Sequence, residues 1–211
     1  MPAPSQMAES GHFRGGKPMA GGFEFEPSNR MGRGSSIIPR MVRVVLGLGG
    51  NKGDCRMAFS ECLAALAAEG RVADVSRLWR TRPIGPPQPD YLNAAALVEW
   101  PAGPRALLAR CLELEAAAGR ERSAEAPWGP RTLDIDLLMA ESVVCRGPVL
   151  TLPHPRLHER RFALEPAAEV APDWTHTLLH QTISDLADDA RDREPDAILE
   201  VFNFEFSILN S

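Results

Sequence analysis

An α+β fold built on a ferredoxin-like βαββαβ core is what this 211-residue sequence predicts, and three observations carry the prediction. Short apolar runs and helical patterns follow one another in the order strand, helix, strand, strand, helix, strand. A proline-rich loop, not a helix, joins the two middle strands, so they pair as a hairpin in an antiparallel sheet with the helices on one face. No apolar run approaches the roughly 20 residues of a membrane span, so a transmembrane reading is excluded.

Each element has a local reason. Residues 1–40 hold seven Gly, five Pro and five Ser, with no Leu or Val. Such a segment buries too little apolar surface to offset the entropy of ordering, so a disordered extension is expected there. The apolar run Val42 to Leu48 reads as a buried strand. A glycine turn leads to a helix over Asp54 to Glu69, with Met57, Phe59, Cys62, Leu63 and Leu66 as its apolar residues. Strands follow over Val72 to Thr81 and Tyr91 to Trp100, on either side of the loop Arg82 to Asp90. A second helix runs from Pro104 to Ala118, with Pro104 suited to its first turn and Gly119 to its C-terminal cap. A polar loop, 120–130, precedes a strand over Thr132 to Met139. Beyond this core come a hairpin over Glu141 to Thr151, a helix over Leu157 to Val170 and a helical stretch over Ile183 to Ala190. The expected division is an extension over 1–40, a folded domain over 41–190 and a tail of unassigned role over 191–211. The tail's alternating phenylalanines suit either an edge strand or a partner-facing surface.

Charge and cysteines narrow the function. Residues 41–181 carry sixteen basic and seventeen acidic side chains. That balance speaks against a nucleic-acid surface, whose affinity rests on neutralising phosphates, and against an RNA-binding sheet. Cys55, Cys62, Cys111 and Cys145 are spaced too widely for a zinc site or a thiol redox motif. With no signal-peptide core at the N-terminus, a cytoplasmic location is expected.

Three groups of residues carry chemistry. Asp134 and Asp136 flank Ile135 in a strand, so both carboxylates face the same side. Such a pair suits Mg²⁺, which completes its shell with water and phosphate, although an isolated pair reads first as a solvated strand face. Arg120, Arg122 and Arg131 precede it, and guanidinium groups clamp polyphosphates because their planar fork matches phosphate oxygens. The run Pro153-His154-Pro155-Arg156, continuing to Arg160, Arg161 and Phe162, offers further phosphate donors at a turn into a helix; alone, His154 reads first as a structural residue. Tyr91, the sole tyrosine, and Asn93 share a strand face beside the proline-rich loop. They could stack on and hydrogen-bond a flat heterocycle, or Tyr91 could simply pack at a strand end.

In this order the groups resemble the 6-hydroxymethyl-7,8-dihydropterin pyrophosphokinase family. The resemblance spans roughly residues 42 to 175 and rests on Leu46-Gly47-Leu48-Gly49-Gly50-Asn51-Lys52-Gly53-Asp54, Arg80-Thr81-Arg82-Pro83-Ile84-Gly85, Pro89-Asp90-Tyr91-Leu92-Asn93-Ala94-Ala95, Trp128-Gly129-Pro130-Arg131-Thr132-Leu133-Asp134-Ile135-Asp136-Leu137-Leu138 and Pro153-His154-Pro155-Arg156. It implies transfer of pyrophosphate from ATP to the pterin's hydroxymethyl group in tetrahydrofolate biosynthesis. Two Mg²⁺ ions are then held by Asp134 and Asp136, with Arg120 and Arg131 as catalytic cations. Thr81, Tyr91, Asn93 and Phe162 take the pterin. Glu115, Arg122, Trp128, His154 and Arg160 take ATP, with the backbone at Leu137 and Thr151 beside the adenine. The expected partners are these small molecules and neighbouring folate-pathway enzymes, with neither nucleic acid nor membrane. At Gly50 the family usually carries Ser, a difference that a turn should tolerate.

Overall fold

The computed structural model describes residues 41–120 and 129–204. The expectations for residues 1–40, Arg122, Trp128 and residues 205–211 lie outside them. The described elements are β1 (Val42–Gly50), α1 (Cys55–Glu69), β2 (Arg71–Val75), β3 (Leu78–Thr81), β4 (Tyr91–Trp100), α2 (Gly103–Ala117), β5 (Asp134–Ala140), a 3₁₀ turn (Leu157–Glu159), α3 (Arg161–Val170), α4 (Ile183–Arg193) and β6 (Ile198–Phe202).

The strands form one sheet in the order β5-β1-β4-β3-β6, with β2 also on β4, and every pairing is antiparallel. Period-two alternation divides the interior into two layers. Val44, Leu46 and Leu48 of β1 pack with Phe59, Leu63 and Leu66 of α1 and with Leu107 and Cys111 of α2. On the opposite face Val45, Ala95, Leu97 and Leu138 pack with Leu164 and Ala167 of α3 and with Ile183 and Leu186 of α4. The core helices therefore share one face, and the two later helices cover the other. Phe59 is fully buried, and its truncation to Ala would cost about 3–5 kcal/mol.

Local chemistry explains the boundaries. Asp54 caps α1 by accepting the Met57 N–H at 3.0 Å. Met57 itself is exposed, so the buried stripe of α1 runs through Cys55, Phe59, Cys62, Leu63 and Leu66 instead. Gly119 takes φ +86°, ending α2 and turning the chain toward Arg120. The strand expected over 72–81 is two strands on β4. It breaks at Ser76, whose hydroxyl accepts the Ala95 N–H at 2.8 Å in place of a ladder bond.

Two later elements also differ. Over 141–151 there are isolated pairings, Ala140 with Val143 and Cys145 with Leu152, and no regular hairpin; Ser142 at φ +56° interrupts the strand geometry. The helix expected from Leu157 begins at Arg161, because Arg160 is extended and separates it from the 3₁₀ turn. A Thr182–Asp185 capping box starts α4. Of the two readings left for the tail, Ile198–Phe202 realises the edge strand, pairing with β3.

Gly50 ends β1, and its role is spatial. A Cβ there would overlap the Thr132 carbonyl oxygen and lie 2.9 Å from the Cys55 sulfur. The expectation of a permissive turn is thus corrected: this backbone is packed against its neighbour.

Candidate active site

The site lies on the sheet face that carries α3 and α4, at the end of the strands those helices leave open. Gly49 of β1 sits in register with Asn93 on one side and Asp134 on the other, and Gly47 is opposite Asp136. A Cβ on Gly49 would stand 3.4 Å from the Asn93 carboxamide oxygen, and one on Gly47 would stand 3.2 Å from the Leu138 side chain. Glycine backbone is therefore the floor between the carboxylates and the carboxamide. Above it is a cavity of about 270 Å³.

At one end of the cavity stand the charges. Ile135 and Leu137 point into the core, so Asp134 and Asp136 both face the cavity. Arg120 pairs with Asp134 and, at 2.5 Å, with Glu115. Arg131 Nη1 reaches the second Asp134 oxygen at 3.0 Å, and Arg160 Nη1 reaches Asp136 at 3.3 Å. Three carboxylates thus meet three guanidinium groups. Glu115 does not line the cavity: it is 1% exposed, and its Oε1 also accepts the Ile135 N–H at 2.8 Å. Burying that charge is tolerable because Arg120 and the backbone donor compensate it.

His154 borders the same end. Its N–H donates to the Leu138 carbonyl at 2.7 Å, tacking the turn onto β5, and its Nδ1 accepts the Arg156 N–H at 3.2 Å. Burial, with Arg160 and Arg156 adding to it against the pull of Asp136, holds its pKa below the usual histidine value. A neutral ring accepting at Nδ1 carries its proton on Nε2, a donor for an anion.

The same cavity is lined by Thr81, Tyr91, Asn93 and Phe162. Asn93 donates to the Thr81 hydroxyl at 2.8 Å, with both side chains buried. The Tyr91 hydroxyl donates to the Gly129 carbonyl at 3.3 Å, and burial raises its pKa, so the phenol stays protonated. Arg160 stacks its guanidinium 5.7 Å from the Phe162 ring centre while pairing with Asp136, which links the ring to the carboxylates.

Of the residues expected from sequence, Arg120, Arg131, Asp134, Asp136, Thr81, Tyr91, Asn93, Phe162, His154 and Arg160 line this one cavity. Three do not. Glu115 stands behind Arg120, the Leu137 side chain lies in the α1–α2 layer, and the Thr151 hydroxyl donates to the Gly147 carbonyl at 3.3 Å. Arg82 and Ile84 line the cavity as well, and Arg156 joins them from the His154 turn. Asn51 was missed. Its carboxamide accepts the Arg131 N–H at 3.0 Å and donates to the Pro89 carbonyl at 3.0 Å, fastening the proline-rich loop to the arginine. Its place directly after the glycines of β1 was the available signal.

Residues 45–172 match the model of the family described as 7,8-dihydro-6-hydroxymethylpterin-pyrophosphokinase (HPPK). A Synechocystis protein named 2-amino-4-hydroxy-6-hydroxymethyldihydropteridine pyrophosphokinase is 40% identical over 144 residues, covering 67% of this chain and 73% of that one. A Methylorubrum extorquens protein of the same name is 43% identical over 136 residues, covering 63% and 85%. The Schizosaccharomyces pombe folic acid synthesis protein fol1 is 36% identical over 146 residues, and the match covers 68% of this chain and 20% of that protein. Among solved structures, a Plasmodium falciparum HPPK-DHPS chain shares the fold with TM-score 0.57 at 14% identity, covering 76% of this chain and 46% of that one. The match runs through the strands and turns that build the cavity, so the chain belongs to the 7,8-dihydro-6-hydroxymethylpterin-pyrophosphokinase family, and its function is pyrophosphoryl transfer from ATP to hydroxymethyldihydropterin in folate biosynthesis.

Proposed function

We propose that this chain performs the transfer with two Mg²⁺ ions held by Asp134 and Asp136, ATP at the charged end of the cavity and the pterin at the aromatic end. The observation that carries this reading is the single cavity joining the carboxylate–arginine cluster to Tyr91, Asn93 and Phe162. The donor set fits the metal: two oxygen ligands on one strand face, with side chains 27% and 41% exposed, each already holding a cationic group. When bound, such ions supply charge neutralisation and orientation for the triphosphate.

The chain's own residues do the rest. Tyr91 and Phe162 flank the flat ring, and Asn93 and Thr81 hydrogen-bond its edge, aiming the hydroxymethyl oxygen at the β-phosphorus of ATP. That oxygen forms the new bond to phosphorus, the bridge to the α-phosphate breaks, and AMP leaves with the bridging oxygen while the hydroxyl proton passes to solvent. Arg120 and Arg131 stabilise the charge that develops, and Arg160 and His154 donate to phosphate oxygens. Glu115 aims Arg120. The backbone at Leu137 and Thr151 borders the adenine, and Arg122 and Trp128 complete the expected ATP contacts. No side-chain nucleophile is required.

Cytoplasmic residence completes the reading, supported by free thiols at Cys55, Cys62, Cys111 and Cys145. No helix among the described residues is long and apolar enough to cross a membrane. Neighbouring folate enzymes are the proposed partners, supported by the joined HPPK-DHPS chain and the longer fol1 relative. The test is release of AMP and pterin diphosphate in equal amounts from ATP, Mg²⁺ and hydroxymethyldihydropterin. Thermal stabilisation by ATP and Mg²⁺ with no AMP release would instead identify a binding module that kept the fold without the activity.

A further inference from the structure

Residues 160 to 162 point in different directions. Arg160 and Phe162 line the cavity, whereas the Arg161 side chain between them is buried, only 9% exposed. Its Nε donates to Glu165 at 2.9 Å. Its Nη1 donates to two successive backbone carbonyls, Glu194 at 2.7 Å and Pro195 at 2.9 Å. Those carbonyls belong to the link between α4 and β6. Two residues further on, the Ala197 carbonyl accepts the Arg82 N–H at 3.0 Å, and Ile198 then pairs with Thr81 as β6 joins β3.

A continuous hydrogen-bonded path therefore runs from Arg161 through residues 194–198 to Thr81 and Arg82. Both of its ends are cavity wall: Phe162 on α3, and Thr81, Arg82 and Ile84 on β3 and the loop after it. A guanidinium suits the first anchor because its planar fork holds a carboxylate and backbone carbonyls at once. Glu165 compensates its buried charge, and Arg191 holds Glu165 in turn at 2.8 and 3.0 Å.

We propose that residues 194–198 form a strap fixing the separation of the two walls around the pterin, with Arg161 as the positioning residue that anchors it. This rests on the assignment of Tyr91, Asn93 and Phe162 to the pterin. The sheet order gives the proposal its selectivity. β5, which carries Asp134 and Asp136, is at the edge opposite β3 and β6, so loosening the strap disturbs the pterin end and spares the nucleotide end.

Steady-state kinetics on the full chain test this. Arg161→Gln raises KM for the pterin by about tenfold and changes KM for ATP by less than about twofold. Arg82→Pro, which removes the N–H that meets Ala197, raises pterin KM several-fold above the Arg82→Ala parent. Arg191→Gln lowers the melting temperature but leaves pterin KM unchanged, because it weakens Glu165 and not the strap. The proposal is overturned if Arg161→Gln and Arg82→Pro leave pterin KM at the values of their parents, or if Arg191→Gln raises it as much as Arg161→Gln does. If Arg161→Gln does not fold, the Arg82→Pro and Arg82→Ala pair decides alone. Asn93→Ala separates the two layers of the argument. An unchanged pterin KM in that variant removes the pocket assignment, while a raised one beside inert strap variants removes only the strap.

Discussion

Glu115 and Ile135 are joined by a hydrogen bond from the β5 backbone to a carboxylate on α2, at 2.8 Å, and the same oxygen holds Arg120. One buried charge thus fixes the strand that carries Asp134 and Asp136 and the arginine that faces them. Glu115→Ala leaves the Ile135 N–H without its acceptor and Arg120 with Asp134 but without its buried partner, and it should cost about 1–3 kcal/mol of stability. Glu115→Gln keeps an acceptor for Ile135 and should lose less stability than Ala, yet still lower kcat because Arg120 loses the buried one of its two carboxylate partners. Chemical denaturation and turnover measured on both variants check this; equal stability losses would remove the two-partner role.

The two aspartates should separate in stability but not in turnover. The Asp136 side chain is 41% exposed, with one long pairing to Arg160 at 3.3 Å, so Asp136→Ala should change stability by less than about 1 kcal/mol. Asp134 holds both Arg120 and Arg131, and Asp134→Ala should destabilise more. Each should lower kcat more than tenfold, a loss above roughly 1.4 kcal/mol of barrier stabilisation. Retention of more than a tenth of the activity by either variant would contradict the metal assignment.

Acid sensitivity should be traceable to Glu165. Burial works against its carboxylate, but hydrogen bonds from Arg191 and Arg161 outweigh that and hold the folded pKa below the ordinary glutamate value. The unfolded chain therefore takes up the proton at higher pH than the folded one. The stabilisation is fully present above the unfolded pKa, about 4.3, and is lost as pH falls through the lower folded value. In urea melts over that window the wild type should lose stability steeply and Glu165→Gln less so. Parallel slopes would show that Glu165 does not contribute.

Gly50→Ser tests the close packing at the end of β1. The added Cβ meets the Thr132 carbonyl and the Cys55 sulfur, and relieving that overlap should cost about 1–3 kcal/mol. A melting temperature equal to wild type would mean that the β1 end shifts freely.

Most of the site was legible because it obeys local rules. Asp134 and Asp136 had to share a face because side chains alternate along a strand, and Tyr91 and Asn93 follow the same period on β4. Asp54 and Gly119 likewise marked helix ends through side-chain and backbone chemistry that acts over a few residues. The sequence by itself determined the order of the core strands and helices apart from the break at Ser76, most of the buried positions and the types of group that the candidate site offers. Tertiary structure alone decided which groups touch. Glu115 became a buried support, not a cavity wall, because α2 packs it against Ile135. Ser76 divided a strand because its hydroxyl meets Ala95 across the sheet. Arg161 turned inward because the carbonyls of Glu194 and Pro195, more than thirty residues away in the chain, come to lie beside it. These contacts depend on long-range register and on compensation of buried charge, and no short-range pattern of residues encodes either.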